Sequence, residues 1–259
     1  NGTSAGLPRV YDIALEAISH GDGRVDPESL NRFVAAYQKT SGLQLGELWA
    51  IPIMLRLALI ENMRRVGTRV AAGIIDRNRA NSWADEMVDI AERDPKSLIL
   101  VIADMARSNP PLVNSFVAEL ARRLQGHSSA LALPLTWIEQ RLGESGLTIE
   151  ALVQSETQSQ AANQVSISNS IGSLRLLGAI DWRDFVESMS AVEQKLREDP
   201  DGIYAQMDFG TRDQYRHVIE KIARHSELSE FDVARKAIQL AHQGKAQADE
   251  GGNERKAHV

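Results

Sequence analysis

LWAIPIMLRLALI, residues 48–60, is the most apolar run in the chain, and its reading decides the fold class. It is thirteen residues long, carries Arg56 within it and runs directly into Glu61, Arg64 and Arg65. A membrane-spanning helix needs about twenty consecutive apolar residues. The run is too short and too soon charged to span, so it predicts a central helix buried on most sides.

The same helical period recurs on either side of it. Val10, Ala14, Ala17 and Ile18 share one face, and Leu30, Phe33, Val34 and Tyr37 share another. Strand signals are nearly absent: no alternating Val/Ile/Thr/Tyr run is bounded by turn residues, and aromatic residues make up only 5%. The expected fold is therefore all-α, a multi-helix array or bundle of about ten helices with no sheet.

Start and stop signals divide the chain. Asp26-Pro27-Glu28 and Asp94-Pro95 each offer a carboxylate cap followed by proline at the first helical position. Thr211 with Gln214, and Ser229 with Asp232, resemble capping boxes. Stops fall at Gly21-Asp22-Gly23, Ser41-Gly42, Ser108-Asn109-Pro110-Pro111, 143–146 and 199–202. Helices are predicted near 9–19, 27–41, 45–77, 80–92, 95–107, 111–125, 134–143, 147–177, 181–198 and 211–243, the last broken around Ser226. QSETQSQAANQ (154–164) is polar, yet no Gly or Pro interrupts it, so one helix is expected to continue through it. Residues 1–243 read as a single helical domain with a possible division near 108–111. Residues 244–259 lack an apolar period and read as a linker or disordered tail.

Composition narrows the function classes. The chain has 259 residues, 43% of them hydrophobic and 25% charged, enough to bury a sizeable core. A net charge of −6 argues against a general nucleic-acid binder, which needs a basic surface to release counterions. The absence of cysteine excludes disulfides and thiolate metal sites. Asn1 in place of Met reads as the start of an excised piece or a processed product, the excised piece being preferred, and residues 1–8 lack the basic and apolar stretches of a secretory signal.

Local spellings of catalytic motifs lose their meaning in context. Asp208-Phe209-Gly210 matches a kinase metal-binding tripeptide, but the Gly-rich loop, strand lysine and HRD loop are missing; it reads as the turn before a Thr211 cap. Asp22-Gly23-Arg24-Val25-Asp26 lacks the alternating oxygen ligands and closing Glu of a calcium loop. His217 and His225 stand eight residues apart, about 12 Å of helical rise, too far to share one zinc. They read as part of a charged surface face, Arg216/Glu220/Arg224. The serines of SISNSIGS (166–173), with Gly172, predict close helix packing. No GxSxG elbow, Walker loop or GxGxxG is present.

Five stretches carry a family likeness: GELWAIPIMLRLALIENMRRV (46–66), ADMARSNPPLVNSFVAELARRLQG (103–126), LALPLTWIEQRLGESGLTIEALVQSE (131–156), residues 164–223 beginning QVSISNSIGSLRLLGAIDWRDF, and ARKAIQLAH (234–242). They resemble the N-terminal region of bacterial cyclic β-1,2-glucan synthases, ahead of the membrane-embedded glycosyltransferase segment. The resemblance implies a large inner-membrane enzyme that polymerises glucose from UDP-glucose and cyclises the product. It places this piece at the cytoplasmic face of that membrane, without a span of its own. The family's nucleotide- and metal-binding motifs lie downstream. The one DxD spelling, Asp199-Pro200-Asp201, sits in a turn, and Arg183 lies in DWRDF, not in a QxxRW setting. No catalytic residue, cofactor or metal site carries over.

Two functions follow. The first is a non-catalytic cytosolic helical platform that packs on the glycosyltransferase domain of the same synthase chain or holds the nascent β-1,2-glucan. Its candidate contact residues are Arg175, Trp182, Arg183, Tyr204, Arg212, Tyr215 and Arg216, because Arg and aromatic side chains are favoured as interface anchors. Aromatic faces also suit stacking on sugar rings. The alternative is an autonomous helical protein-interaction module with no glucan-handling role, which a large apolar patch away from 164–216 would favour. A hydrolase built on helical carboxylates ranks behind both and requires a deep cleft lined by two acids and several aromatic residues.

Overall fold

The computed structural model describes residues 8–251, and these form twelve α-helices and two short 3-10 turns with no strand. The helices are α1 (Arg9–His20), α2 (Pro27–Gln38), α3 (Leu45–Arg93), α4 (Leu98–Ser108), α5 (Asn114–Leu124), α6 (Ala132–Gly143), α7 (Ile149–Ala179), α8 (Trp182–Met189), α9 (Ala191–Leu196), α10 (Ile203–Gln206), α11 (Phe209–Arg224) and α12 (Glu230–Gly251). The all-α expectation holds. No helix among the described residues is long and apolar enough to cross a membrane.

The chain divides into two compact units, the residues up to Ile60 with those from Ser170 onward, and Glu61–Asn169. The divisions fall within α3 and α7, whereas the 108–111 connection lies inside the second unit. In the first unit one core gathers Val10, Ile13, Val34, Leu48, Leu55, Leu59, Leu177 and Val186 from α1, α2, α3, α7 and α8. A smaller core joins Val192, Leu196, Tyr204, Ile219, Val233 and Ala234 from α9 to α12. The second unit is built on Met87, Met105, Phe116, Leu120, Ile138 and neighbours from α3 to α7.

The run at 48–60 behaves as predicted on one side and not on the other. Leu48, Ile51, Leu55 and Leu59 are at most 1% exposed, but Ile53, Leu57 and Ile60 are exposed. Residues 45–93 form one helix instead of two. DRNRAN (76–81) is mostly polar but contains no breaker, and Ala80 within it and Ala84 beyond it are buried, so packing carries the helix on. Conversely, the single helix expected at 181–198 is two. Ser190 is extended (φ −76°, ψ 114°), ending α8 and capping α9 through its hydroxyl, which accepts from the Glu193 N–H.

Caps explain several boundaries. Asp26 accepts from Ser29 N–H with Pro27 at the first position, as predicted. Asp94 accepts from Lys96 N–H and Pro95 follows, but this opens a 3-10 turn ahead of α4. Ser229 accepts from Asp232 N–H at the start of α12. At α11 the cap is Asp208, which accepts from the Thr211 N–H and hydroxyl, so the helix begins two residues before the expected Thr211. Backbone helix continues through 244–251 into the stretch expected as a linker; one interior Gly costs only about 1 kcal/mol. Lys245 holds that end to the Pro200 carbonyl and to Asp201. Residues 252–259 of the expected tail lie outside the described residues.

The serines of α7 do pack, within each unit. In the second unit Asn62 donates to the Ser166 hydroxyl at 3.0 Å, both buried. In the first, Ser173 accepts from Val25 N–H and donates to Gly23 C=O, both at 2.8 Å, fixing the α1–α2 turn on the helix. Gly172 plays no part in this closeness: it is exposed, and a Cβ there would meet nothing within 4 Å.

Candidate interaction site

The densest polar constellation lies in the first unit, where α8, α9, α10 and α11 meet around Arg216. On α9 the buried positions are Val192, Glu193 and Leu196, so a carboxylate occupies the inward face of that helix. Glu193 is 1% exposed and needs a cation. That cation is Arg216, 0% exposed, whose Nη1 donates to Glu193 at 2.5 Å and to Glu187 at 3.0 Å. Its Nη2 donates to Asp213 at 3.0 Å.

The network closes around that pair. The Tyr204 hydroxyl donates to the Glu193 Oε2 at 2.6 Å, and Arg197 Nε donates to Oε1 at 2.8 Å. Arg212, on the same α11 face as Arg216, grips Glu187 in a fork, Nε donating to Oε1 at 3.1 Å and Nη2 to Oε2 at 2.8 Å, and donates to the Met207 carbonyl. Three carboxylates (Glu187, Glu193, Asp213) thus face three guanidiniums (Arg197, Arg212, Arg216). The Asp199 carboxylate accepts from the Ile203 and Tyr204 N–H groups and fixes α10, with Gly202 supplying the left-handed turn (φ 65°).

Phe209 is the aromatic centre of the cluster. The Arg216 guanidinium lies 5.0 Å from its ring centroid and that of Arg183 lies 5.3 Å away. Trp49 meets it edge-on at 6.4 Å. Arg216 Nε has no hydrogen-bond partner among the described residues, and the ring contact stands in that place.

The electrostatics are those of a locked ion network. Burial alone would disfavour the charged Arg216; the hydrogen bonds it donates to Asp213, Glu193 and Glu187 overcome this and hold the proton more firmly than usual. Burial likewise pushes Glu187 up, but the hydrogen bonds from Arg212 and Arg216 bring it below the ordinary carboxylate range. The Tyr204 phenol is raised, first by burial and then by its bond to Glu193.

The seven candidate residues therefore separate. Tyr204, Arg212, Tyr215 and Arg216 come together: the rings of Tyr204 and Tyr215 meet edge-on at 5.9 Å, and both Arg residues serve the ion network. Tyr204 and Arg216 have no exposed surface to offer a ligand. Trp182 is half-buried, packs edge-on against Phe185 and donates its indole N–H to Leu177 C=O. Arg183 and Arg175 are exposed, on α8 and α7. Arg216 was expected on a surface face with Glu220 and Arg224. The Arg224–Glu220 pair exists, but Arg216 turns inward because Glu193 and Glu187 wait there uncompensated. His217 and His225 are exposed and each contacts a backbone carbonyl four residues back.

Sequence reasoning missed Glu187, Glu193 and Phe209. For Glu193 the signal was its place beside Val192 and Leu196, the apolar positions of α9; Phe209 was dismissed together with the kinase-like spelling.

Acids also gather at a pocket of about 310 Å³ in the first unit, lined by Glu47, Glu220, Arg224 and Glu230 among others. No aromatic side chain lines it, and every acid is engaged: Glu47 by Arg9, Glu220 by Arg224, Glu230 by the Leu45 N–H. It lacks the arrangement that glycoside hydrolysis requires. No cluster of metal-ligating side chains occurs among the described residues.

The described residues thus define an all-helical fold whose densest polar cluster is a closed ion network. Over 242 residues, 93% of its length, the chain is 35% identical to a segment of the cyclic beta-(1,2)-glucan synthase NdvB of Rhizobium meliloti (strain 1021). It is therefore related along nearly its whole length to one segment of a cyclic β-(1,2)-glucan synthase, as its sequence stretches led us to expect. The chain spans 8% of that relative. No protein-family model matches it.

Proposed function

We propose that the chain is a non-catalytic helical platform of a cyclic β-(1,2)-glucan synthase, at the cytoplasmic face of the inner membrane, on which other parts of that long chain dock. One observation carries the reading: the Arg, Glu and Tyr side chains that could have served chemistry are consumed by the closed network around Arg216 and Glu193. Such a network fixes four helices in place and presents no activated acid, base or nucleophile. Of the candidate contacts, Arg175 and Arg183 are exposed and Trp182 half-buried, and these are the ones left to meet a partner.

Cross-linking of the full-length synthase in native membranes tests this. Cross-links from the exposed Lys221 and Lys236 to distant parts of the same chain are expected. Glu220→Gln is expected to leave glucose incorporation from UDP-glucose unchanged. A folded Glu220→Gln enzyme without incorporation, or a segment that cross-links only to itself, sinks the proposal.

A second reading, an interaction module for a separate protein, draws on α3. Ile53, Leu57 and Ile60 fall at i, i+4 and i+7, and all are more than 40% exposed. Cross-links to another polypeptide in place of the same chain would favour it.

A further inference from the structure

The second unit holds a pocket of about 410 Å³ between the end of α4 and α6, lined by Ala106, Asn109, Pro110, Leu112, Trp137 and Arg141. That volume falls within the roughly 300–1,000 Å³ of small-molecule sites. Its apolar wall is rigid, because Trp137 and Leu112 both pack against the buried core of this unit. Trp137 and Arg141 stand at i and i+4 on α6, which puts the guanidinium beside the indole on one face. Asn109 ends α4 in the left-handed conformation (φ 45°, ψ 60°) and is exposed, with Pro110 behind it.

The polar groups of this pocket are unspent, in contrast to those around Arg216. Neither the Trp137 indole N–H nor the Asn109 side-chain amide has a hydrogen-bond partner among the described residues. Arg141 contacts Glu144 at 3.1 Å, and both side chains are about half exposed, so most of its five N–H donors remain open. No carboxylate lines the pocket. The walls therefore offer one flat aromatic surface, donors from an indole and a guanidinium, and a donor and acceptor from one amide.

Those groups match a neutral ring with one apolar C–H face and a rim of hydroxyls. We propose that the pocket is a saccharide subsite: a pyranose ring stacks on Trp137, while Asn109 and Arg141 bind its hydroxyls. The inference goes beyond the platform reading and does not depend on it.

The test is titration of the 259-residue chain with sophorose, two β-1,2-linked glucose units, followed through the indole N–H resonances of its four tryptophans. The Trp137 resonance, assigned by its loss in Trp137→Leu, is expected to shift saturably while that of Trp182 stays still. Asn109→Gly keeps the left-handed backbone and is expected to weaken binding about fivefold, the share of one hydrogen bond. An unmoved Trp137 resonance at saturating sophorose overturns the proposal, as does full affinity in Asn109→Gly. A larger Trp137 shift with uridine diphosphate than with sophorose also overturns it, in favour of base stacking. None of these outcomes bears on the cross-links that test the platform.

Discussion

Arg216 donates to Glu193 across 2.5 Å, and neither side chain is open to solvent. Removing both charges from water is costly, and their attraction offsets that cost only when the remaining donors and acceptors are satisfied. Glu187, Asp213, Tyr204 and the Phe209 ring do this here. The pair therefore holds α9 to α11 only as part of the whole network.

Arg216→Ala is the sharpest test of that dependence. It leaves Glu193 buried beside Glu187 with its main cation gone, and breaking a buried pair from one side costs about 3–5 kcal/mol. Urea denaturation followed by circular dichroism should show a loss of that order. Arg216→Lys should recover little, since a point charge cannot serve three carboxylates in a plane. Arg175→Ala, at an exposed site, should stay within about 0.5 kcal/mol of the parent. Equal effects of the two alanine variants would contradict the structure.

Tyr204→Phe removes one donor to Glu193 and keeps the ring. Hydrogen bonds to charged groups contribute about 1.5–3 kcal/mol, so the loss should fall below that of Arg216→Ala. The phenol's raised pKa gives a second readout. The folded state resists ionising Tyr204, so the stabilisation is present at neutral pH and is lost as alkaline pH rises. Spectrophotometric titration near pH 10 should then show the same tyrosinate amplitude in the folded parent and in Tyr204→Phe. A smaller amplitude in the variant would mean that Tyr204 ionises in the folded protein near pH 10, against its burial and its bond to Glu193.

The contrast between Arg216 and Asp26 shows what the sequence could disclose. Asp26-Pro27 is a local signal, and a cap needs only neighbours along the chain, so α2 began where it was read. The all-α class was legible for the same reason, since helical period is written within a few turns. Arg216 pairs with Glu193, which is distant along the chain, and no spacing rule on α11 points there. The continuation of α3 through DRNRAN was hidden likewise, because Ala80 and Ala84 are held by residues of other helices. Tyr204, Arg212, Tyr215 and Arg216 did prove to be neighbours, with Arg183 beside them over the Phe209 ring, yet sequence alone could not say that Tyr204 and Arg216 point inward.

Ser173 makes a long-range prediction of a different kind. Its hydroxyl accepts from Val25 N–H and donates to Gly23 C=O, and all three groups are buried. Ser173→Ala leaves one donor and one acceptor unsatisfied, each costing about 1–3 kcal/mol, while the volume hardly changes. Hydrogen exchange at the Val25 amide should quicken accordingly. Ser168→Ala, exposed on the same helix, should leave the exchange pattern as it was. Unchanged protection of Val25 in Ser173→Ala would remove this tie from the fold.

Glu230 carries a pH prediction opposite in sign to that of the carboxylates Glu187, Glu47 and Asp26. Burial raises its pKa above the ordinary carboxyl value, and nearby Glu220 and Glu47 add to this, although the Leu45 N–H and Arg224 pull the other way. The folded state thus binds this proton more tightly than the unfolded chain does. Stability from Glu230 is fully present below the unfolded value of about 4.3 and is lost as pH rises through the raised folded value. Glu187, Glu47 and Asp26 are shifted down and behave oppositely, losing their contribution as pH falls. The difference between Glu230→Gln and the parent isolates the one group. The amide oxygen can still accept from Leu45 N–H, and the amide NH₂ can donate toward the neighbouring carboxylates. At pH 7 the variant should therefore denature at a higher temperature than the parent, and the gap should close as pH approaches 4. A variant less stable than the parent at pH 7 would show that the charged carboxylate, and not the acceptor alone, is needed to hold the start of α3.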